Sequence, residues 1–199
     1  MSVLLPLIRI KTTGAPRPVL FSGTQEGSLG GEDLQINRMG DRFAVDFVTD
    51  QLLRNADSRN LIAALTEATT ADAIAPLPLV NASRVYAGGG AVDGAGQTGS
   101  TLNIRGRVAG EVLARGDFFS IIHSGRRYVF MIRGDVTVDG AGKAAVPIWP
   151  MLRFVTVDGQ TCEFAQPFIE GRLVGFDAKG AAFTRIRVEP LSFSIIERA

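Results

Sequence analysis

The sequence predicts a mainly β fold: an antiparallel split β-barrel or sandwich with one inserted α-helix and a Gly-rich arm. Three observations carry this prediction. From Thr101 onward, short apolar segments follow one another, separated by Gly, Pro, Asp and Ser. Helical spacing of apolar residues is clear only near residues 58–69. Between these regions lies "GGGAVDGAGQTGS", residues 88–100, which holds six glycines. The chain therefore divides into a first half of a β domain at 1–87, a Gly-rich loop or arm at 88–100, and a β-rich second half at 101–199. Together they form one composite domain, consistent with 199 residues.

The elements follow in order. "SVLLPLIRIKT" is strand-like, with Pro6 placing it at a sheet edge or bulge. "PRPVLFSG" is a second candidate. In "DRFAVDFVTD", Phe43, Val45 and Phe47 alternate with Ala44 and Asp46, the period of a half-buried strand. The period then changes. Leu61, Ala64, Leu65 and Ala68 fall at helical spacing, with Asp57 or Ser58 as the expected cap and "TTADAIAPLP" as the break. "SRVYA", residues 83–87, is a strand candidate ahead of the glycines. "TLNIRGRV", "FFSIIHS", "RRYVFMIRG", "DVTVDG", "AAVPIW", "LRFVTVDG" and "TCEFAQPF" read as successive strands. Asp158–Gly159 predicts a two-residue hairpin between "RFVTV" and "QTCEF", and "VDGAGKAA" a longer hairpin loop. In "TRIRVEPLSFSII" the alternation of Ile186, Val188, Leu191, Phe193 and Ile195 slips at Pro190, which predicts a β-bulge.

Composition narrows the function classes. With 21 basic and 20 acidic side chains, the chain lacks the footprint of a nucleic-acid binder. Of the basic residues, 18 are arginines and three are lysines. Arginine is enriched and lysine depleted at protein interfaces, although compositional bias produces the same ratio. One cysteine, Cys162, allows no intramolecular disulfide. "MSVLLPLIRIK" has no basic residue before its apolar run and does not read as a secretory signal. No apolar run is long enough to span a bilayer, so the expectation is a soluble chain without membrane insertion.

No catalytic, cofactor or metal site emerges. Gly94, Gly96 and Gly99 match G-x-G-x-x-G, but "STLNIRGRVAGE" is a poor helix, and the dinucleotide motif needs a helix there. "GAGK" at 140–143 lacks both the leading glycine and the following Ser or Thr of a phosphate loop. His123 is the single histidine and reads as a strand-end rim residue. No G-x-S-x-G elbow accompanies it. Asp117, Asp135, Asp139 and Glu163 could supply paired carboxylates, but turn chemistry accounts for most of them. Phe118, Phe119, Tyr128, Phe130 and Phe154 occupy core-like strand positions rather than a stacking platform.

The second half also carries an ordered pattern. Leu102, Ile104 and Gly106 give L-x-I-x-G. Leu113, Gly116 and Asp117 give L-x-x-G-D. An aromatic-Val strand follows at Tyr128 and Val129, then D-x-x-G at Asp139 and Gly142. Val146, Ile148, Pro150, Leu152 and Arg153 complete V-x-I-x-P-x-L-R. Each residue shapes backbone: Gly116–Asp117 turns into "FFSII", Asp139 to Gly142 turns the chain back, and Pro150 stops a ladder. Arg153, the one basic member, is expected to pair with Asp117. This order resembles the structural proteins of tailed bacteriophages, in particular distal tail proteins, and "RMGDRFAVDFVTDQL" followed by a helix is similar to their first half.

The resemblance implies a non-enzymatic ring subunit, a hexamer, linking the tail tube to tail-tip or hub proteins. DNA would pass its lumen without specific binding. It also implies assembly in the host cytoplasm and a final place in the virion tail. Two alternatives stand beside it: another tail part, such as a tube or tail-completion protein, and a β-sandwich carbohydrate-binding module using Trp149. A carboxylate hydrolase ranks last.

Overall fold

The computed structural model describes residues 2–6, 9–79, 86–176 and 180–198. In chain order the strands are β1 (Ser2–Leu4), β2 (Ile10–Thr13), β3 (Arg17–Val19), β4 (Gly23–Gln25), β5 (Leu34–Ile36), β6 (Arg42–Thr49) and β7 (Leu52–Leu53). Helix α1 (Ala56–Glu67) follows, then β8 (Asp72–Pro76), β9 (Gly90–Val92), β10 (Thr101–Arg105), β11 (Val112–Leu113), β12 (Phe118–His123) and β13 (Arg126–Ile132). The rest are β14 (Val136–Thr137), β15 (Ala144–Trp149), β16 (Thr161–Glu163), β17 (Phe168–Val174), β18 (Arg187–Val188) and β19 (Ser192–Glu197). Of the strand candidate at 83–87, only Tyr86 and Ala87 lie within the described residues.

Two bodies share the chain. A curled sheet runs β1-β8-β17-β19-β6-β2, with β3 also on β6. All its pairs are antiparallel except β1 with β8. A closed antiparallel barrel runs β10-β15-β13-β12-β16-β9 and back to β10. The mainly β class, with a barrel and, among the described residues, one α-helix of several turns, is thus the observed architecture. Residues from both ends of the chain build the curled sheet, and residues 90–163 build the barrel. Six strands enclose only enough space for side chains. Leu102, Ile104, Phe119, Ile121, Phe130, Ile132, Val146 and Ile148 fill it, all fully buried.

The barrel wall facing the sheet is apolar on both surfaces. Phe119 and Phe130 point into the barrel, whereas Phe118 and Val129 join the core of the curled sheet. That explains why "FFSII", apolar except for the buried Ser120, shows no alternation: a strand buried on both faces loses the period of a half-buried one. Helix α1 packs Leu61 and Leu65 into the same sheet core. Its cap is Asn55 rather than the expected Asp57 or Ser58. The Asn55 Oδ1 accepts the Ser58 N–H at 3.0 Å, which starts the helix two residues early.

Other expectations change. "LRFVTVDG" is not a strand; Asp158–Gly159 closes a loop, and β16 pairs with β12 and β9. The slip at Pro190 is not a bulge. It marks the passage from β18, which pairs with β7, to β19, which pairs with β6. Ile186, expected inside, is exposed. Two central strands had no expected counterpart. In β8 the buried residues Ala73 and Ala75 are small, and β17 carries Glu170 and Gly171 mid-strand. A Cβ on Gly171 would overlap the Ile196 carbonyl oxygen, so β17 and β19 approach too closely for any other residue.

Candidate functional site

The pattern residues fall at the barrel's ends and along its seam with the sheet. Gly106 ends β10 at φ +77°, with open space where a Cβ would stand. Gly116 adopts φ +89° and donates its N–H to the Ile132 carbonyl at 2.8 Å, which turns the chain into β12. Asp117 accepts the Tyr86 hydroxyl, and the same hydroxyl accepts the Ala114 N–H at 3.1 Å. Asp139 Oδ1 accepts the N–H groups of Ala141 and Lys143 at 2.9 and 2.8 Å, a tight cap on the turn into β15. Gly142 sits at φ +74°, and its carbonyl takes the Arg107 N–H at 3.1 Å. β15 ends at Trp149, which precedes Pro150 through a cis peptide. Leu152 is buried and donates its N–H to Gly99 at 2.8 Å.

Arg153 does not pair with Asp117. Its Nη2 lies 3.0 Å from Glu197 Oε1, and the two side chains are 4 % and 1 % exposed. Glu197 also accepts the N–H of Phe43 in β6 and of Val129 in β13, each at 2.7 Å. One carboxylate therefore binds the curled sheet, the barrel wall and Arg153 together. The guanidinium lies 5.1 Å from the Tyr128 ring centre and 5.8 Å from that of Phe130, a cation–π placement. Burial pushes the Glu197 carboxyl above its ordinary value, with Arg153 and the two N–H groups pulling against that rise. Glu197 is the last residue of β19. No spacing signal links it to Arg153.

The Gly-rich stretch lies along the barrel instead of reaching away from it. Gly90 to Val92 form β9, a barrel strand. Arg107, whose side chain is fully buried, donates from Nη1 to the carbonyls of Gly88 and Gly89 at 3.1 Å and pairs with Glu111 at 2.7 Å. Gly94, Gly96 and Gly99 all have positive φ and lead into strand β10, not into a helix N-terminus. The Thr156 hydroxyl accepts the Gln97 backbone N–H at 2.9 Å and so ties this loop to residues 153–160, while the Gln97 side-chain amide donates to the carbonyls of Asp93 and Gly94 within the loop. Outside, Lys143 and Arg105 hold Asp93 below the usual carboxylate range, and Arg105 does the same to Asp158. His123 ends β12, stacks on Phe154 at 4.2 Å and bonds Gln160 through Nδ1. Among the described residues, no group of three or more His, Cys, Asp or Glu is placed to hold a metal. No helix among the described residues is long and apolar enough to cross a membrane.

Two surface features had no signal in the sequence reading. Residues 20–40 leave β3 and return to β6 as an arm, in which β4 and β5 pair only with each other. Asp41 ties its root by accepting the N–H groups of Phe21 and Ser22 at 2.7 and 2.8 Å and the Ser22 hydroxyl at 2.7 Å. Burial raises the Asp41 carboxyl, but these bonds outweigh it and leave it below its ordinary value. Beside the arm's root lies an open groove of about 630 Å³ at the seam. Its floor is Phe43, Phe118, Met131 and Trp149, and Arg115 and Arg133 stand at its rim. Trp149 packs edge-on against Phe43 at 4.9 Å, so its ring is partly spent inside the protein.

No family model matches the chain, and no curated protein matches it.

Proposed function

We propose that this chain is a non-enzymatic structural subunit of a bacteriophage tail, distal-tail or hub-like. In this reading it forms a ring, six-membered as the resemblance implies, between tail tube and tail tip. The carrying observation is the placement of the ordered pattern from Leu102 to Arg153 in one barrel. Its glycines and aspartates make turns, and Arg153 is committed to Glu197 at the seam with the sheet. Turn formation, core packing and the seam ion pair account for these residues, which supports a role in setting shape. Near-zero net charge suits a lumen that DNA must traverse without sticking. Ring closure uses heterologous surfaces, one face meeting a different face of the next copy. The test is light scattering with negative-stain imaging of the purified chain. Six-fold rings with a central opening are expected; a chain that stays monomeric alone and with its neighbouring tail proteins refutes the reading.

A further inference from the structure

The arm and the groove are complementary, and neither is satisfied within one chain. The arm exposes Phe21 and Met39 beside its root and Leu34 on β5 at 60–67 %. Three large apolar side chains on one projection mark a surface built to be covered. An isolated hairpin of this kind also has little stability of its own in water. Near the arm's tip, Glu26, Glu32 and Asp33 are exposed and form no ion pair among the described residues. The groove presents the opposite character. Its floor is aromatic and thioether, and the Arg115 and Arg133 side chains at the rim are exposed with no ion-pair partner among the described residues. The nearby Asp135 carboxylate is occupied in accepting the Arg115 N–H at 2.7 Å.

The geometry points to a second copy of this chain as the occupant: the arm of one subunit lies in the groove of the next, acidic tip against Arg115 and Arg133. Within one chain the groove meets only the arm's root: Leu20 lines it, and no residue of 21–40 does. A neighbouring copy placed head-to-tail brings arm and groove together. The contact is heterologous, so repetition gives a closed ring or an open chain, depending on the rotation between copies. The aromatic floor supplies burial, and the paired charges set which way the arm lies. The choice of a second copy as partner rests on the self-associating function proposed above.

Charge exchange tests this directly. One variant carries Arg115→Glu with Arg133→Glu, and the other carries Glu32→Arg with Asp33→Arg. All four positions are exposed, so folding is retained, which circular dichroism checks. Sedimentation velocity of the full-length chain over a micromolar series is the readout. Each variant alone is expected to self-associate at least about tenfold more weakly than the wild type, since every arm then meets like charge. Mixed in equal amounts, the two variants are expected to assemble again, because each arm then finds a groove of opposite sign on the other variant. Rings that persist in both variants overturn the arm contact and leave the ring. Open chains abolished by either variant support the arm contact and overturn the ring. A wild type that stays monomeric, or a mixture that stays as weak as its components, overturns the inference.

Discussion

Removal of the Arg153 guanidinium, as in Arg153→Ala, leaves Glu197 buried against two N–H groups with no cation. The carboxyl then escapes its charge by holding a proton. At ~1.36 kcal/mol per pH unit, keeping it protonated at pH 7 against an ordinary value of 4.5 costs at most about 3.4 kcal/mol, and about 0.7 kcal/mol at pH 5. The sign follows from proton binding. A carboxyl raised in the folded state binds its proton more tightly there than in the unfolded chain. Its contribution to stability is therefore fully present below the unfolded value and is lost as pH rises through the folded one. Arg153 opposes that rise, so deleting it extends the loss to higher pH. Lost stacking over Tyr128 and Phe130 adds a pH-independent part of about 1 kcal/mol. Urea titration at pH 5 and pH 7 should therefore show a destabilisation of up to about 4 kcal/mol at pH 7 that falls by more than half at pH 5. A loss below ~1 kcal/mol at pH 7, or one equal at both values, would refute the argument that the pair clamps sheet to barrel.

Further expectations concern single positions. Gly171→Ala drives a Cβ into the Ile196 carbonyl and should cost about 3 kcal/mol or more, whereas Gly106→Ala meets open space and should cost only the ~1–2 kcal/mol of its positive φ. Thermal melts of the two variants rank them, and equal losses would contradict the close approach of β17 and β19. Cys162 is buried, with its thiol pushed up to about 12 mainly by that burial. A thiol reagent should label it only as fast as the chain unfolds, and rapid labelling under native conditions would contradict its place in the barrel. Asp46 is held below its ordinary 3.8 by the Ser194 hydroxyl and by Arg17, against the effect of burial. Its contribution is present above the unfolded value and is lost as pH falls through the lower folded one. Asp46→Asn should therefore flatten stability measured between pH 5 and acid pH, and an unchanged slope would count against those bonds.

Much of the fold was legible where one residue's environment is local. The period of two in "DRFAVDF" gave β6, the period of the helix gave α1, and Gly116, Asp139 and Gly142 announced turns through backbone geometry that neighbours alone dictate. Strands β8 and β17 escaped because their residues answer to distant partners: Ala73 and Ala75 are small in a packed core, and Gly171 yields space to β19. The Asp158–Gly159 dipeptide misled for the same reason. Its turn forms, but its flanks pair elsewhere or not at all.

The sequence by itself determined a β-rich chain with one helix, a pattern of turns in its second half, and near-neutral charge without an evident reactive cluster. Those properties are sums or short-range periodicities, and they survive without knowing which strand meets which. Only the tertiary structure decided the rest. It closed residues 90–163 into a barrel, laid the Gly-rich stretch along it under Arg107, and gave Arg153 to Glu197 rather than Asp117. It also left an apolar arm and an arginine-rimmed groove uncovered. Each of these depends on pairing between residues far apart in the chain, and a buried charge takes its partner from whatever the packing brings within reach.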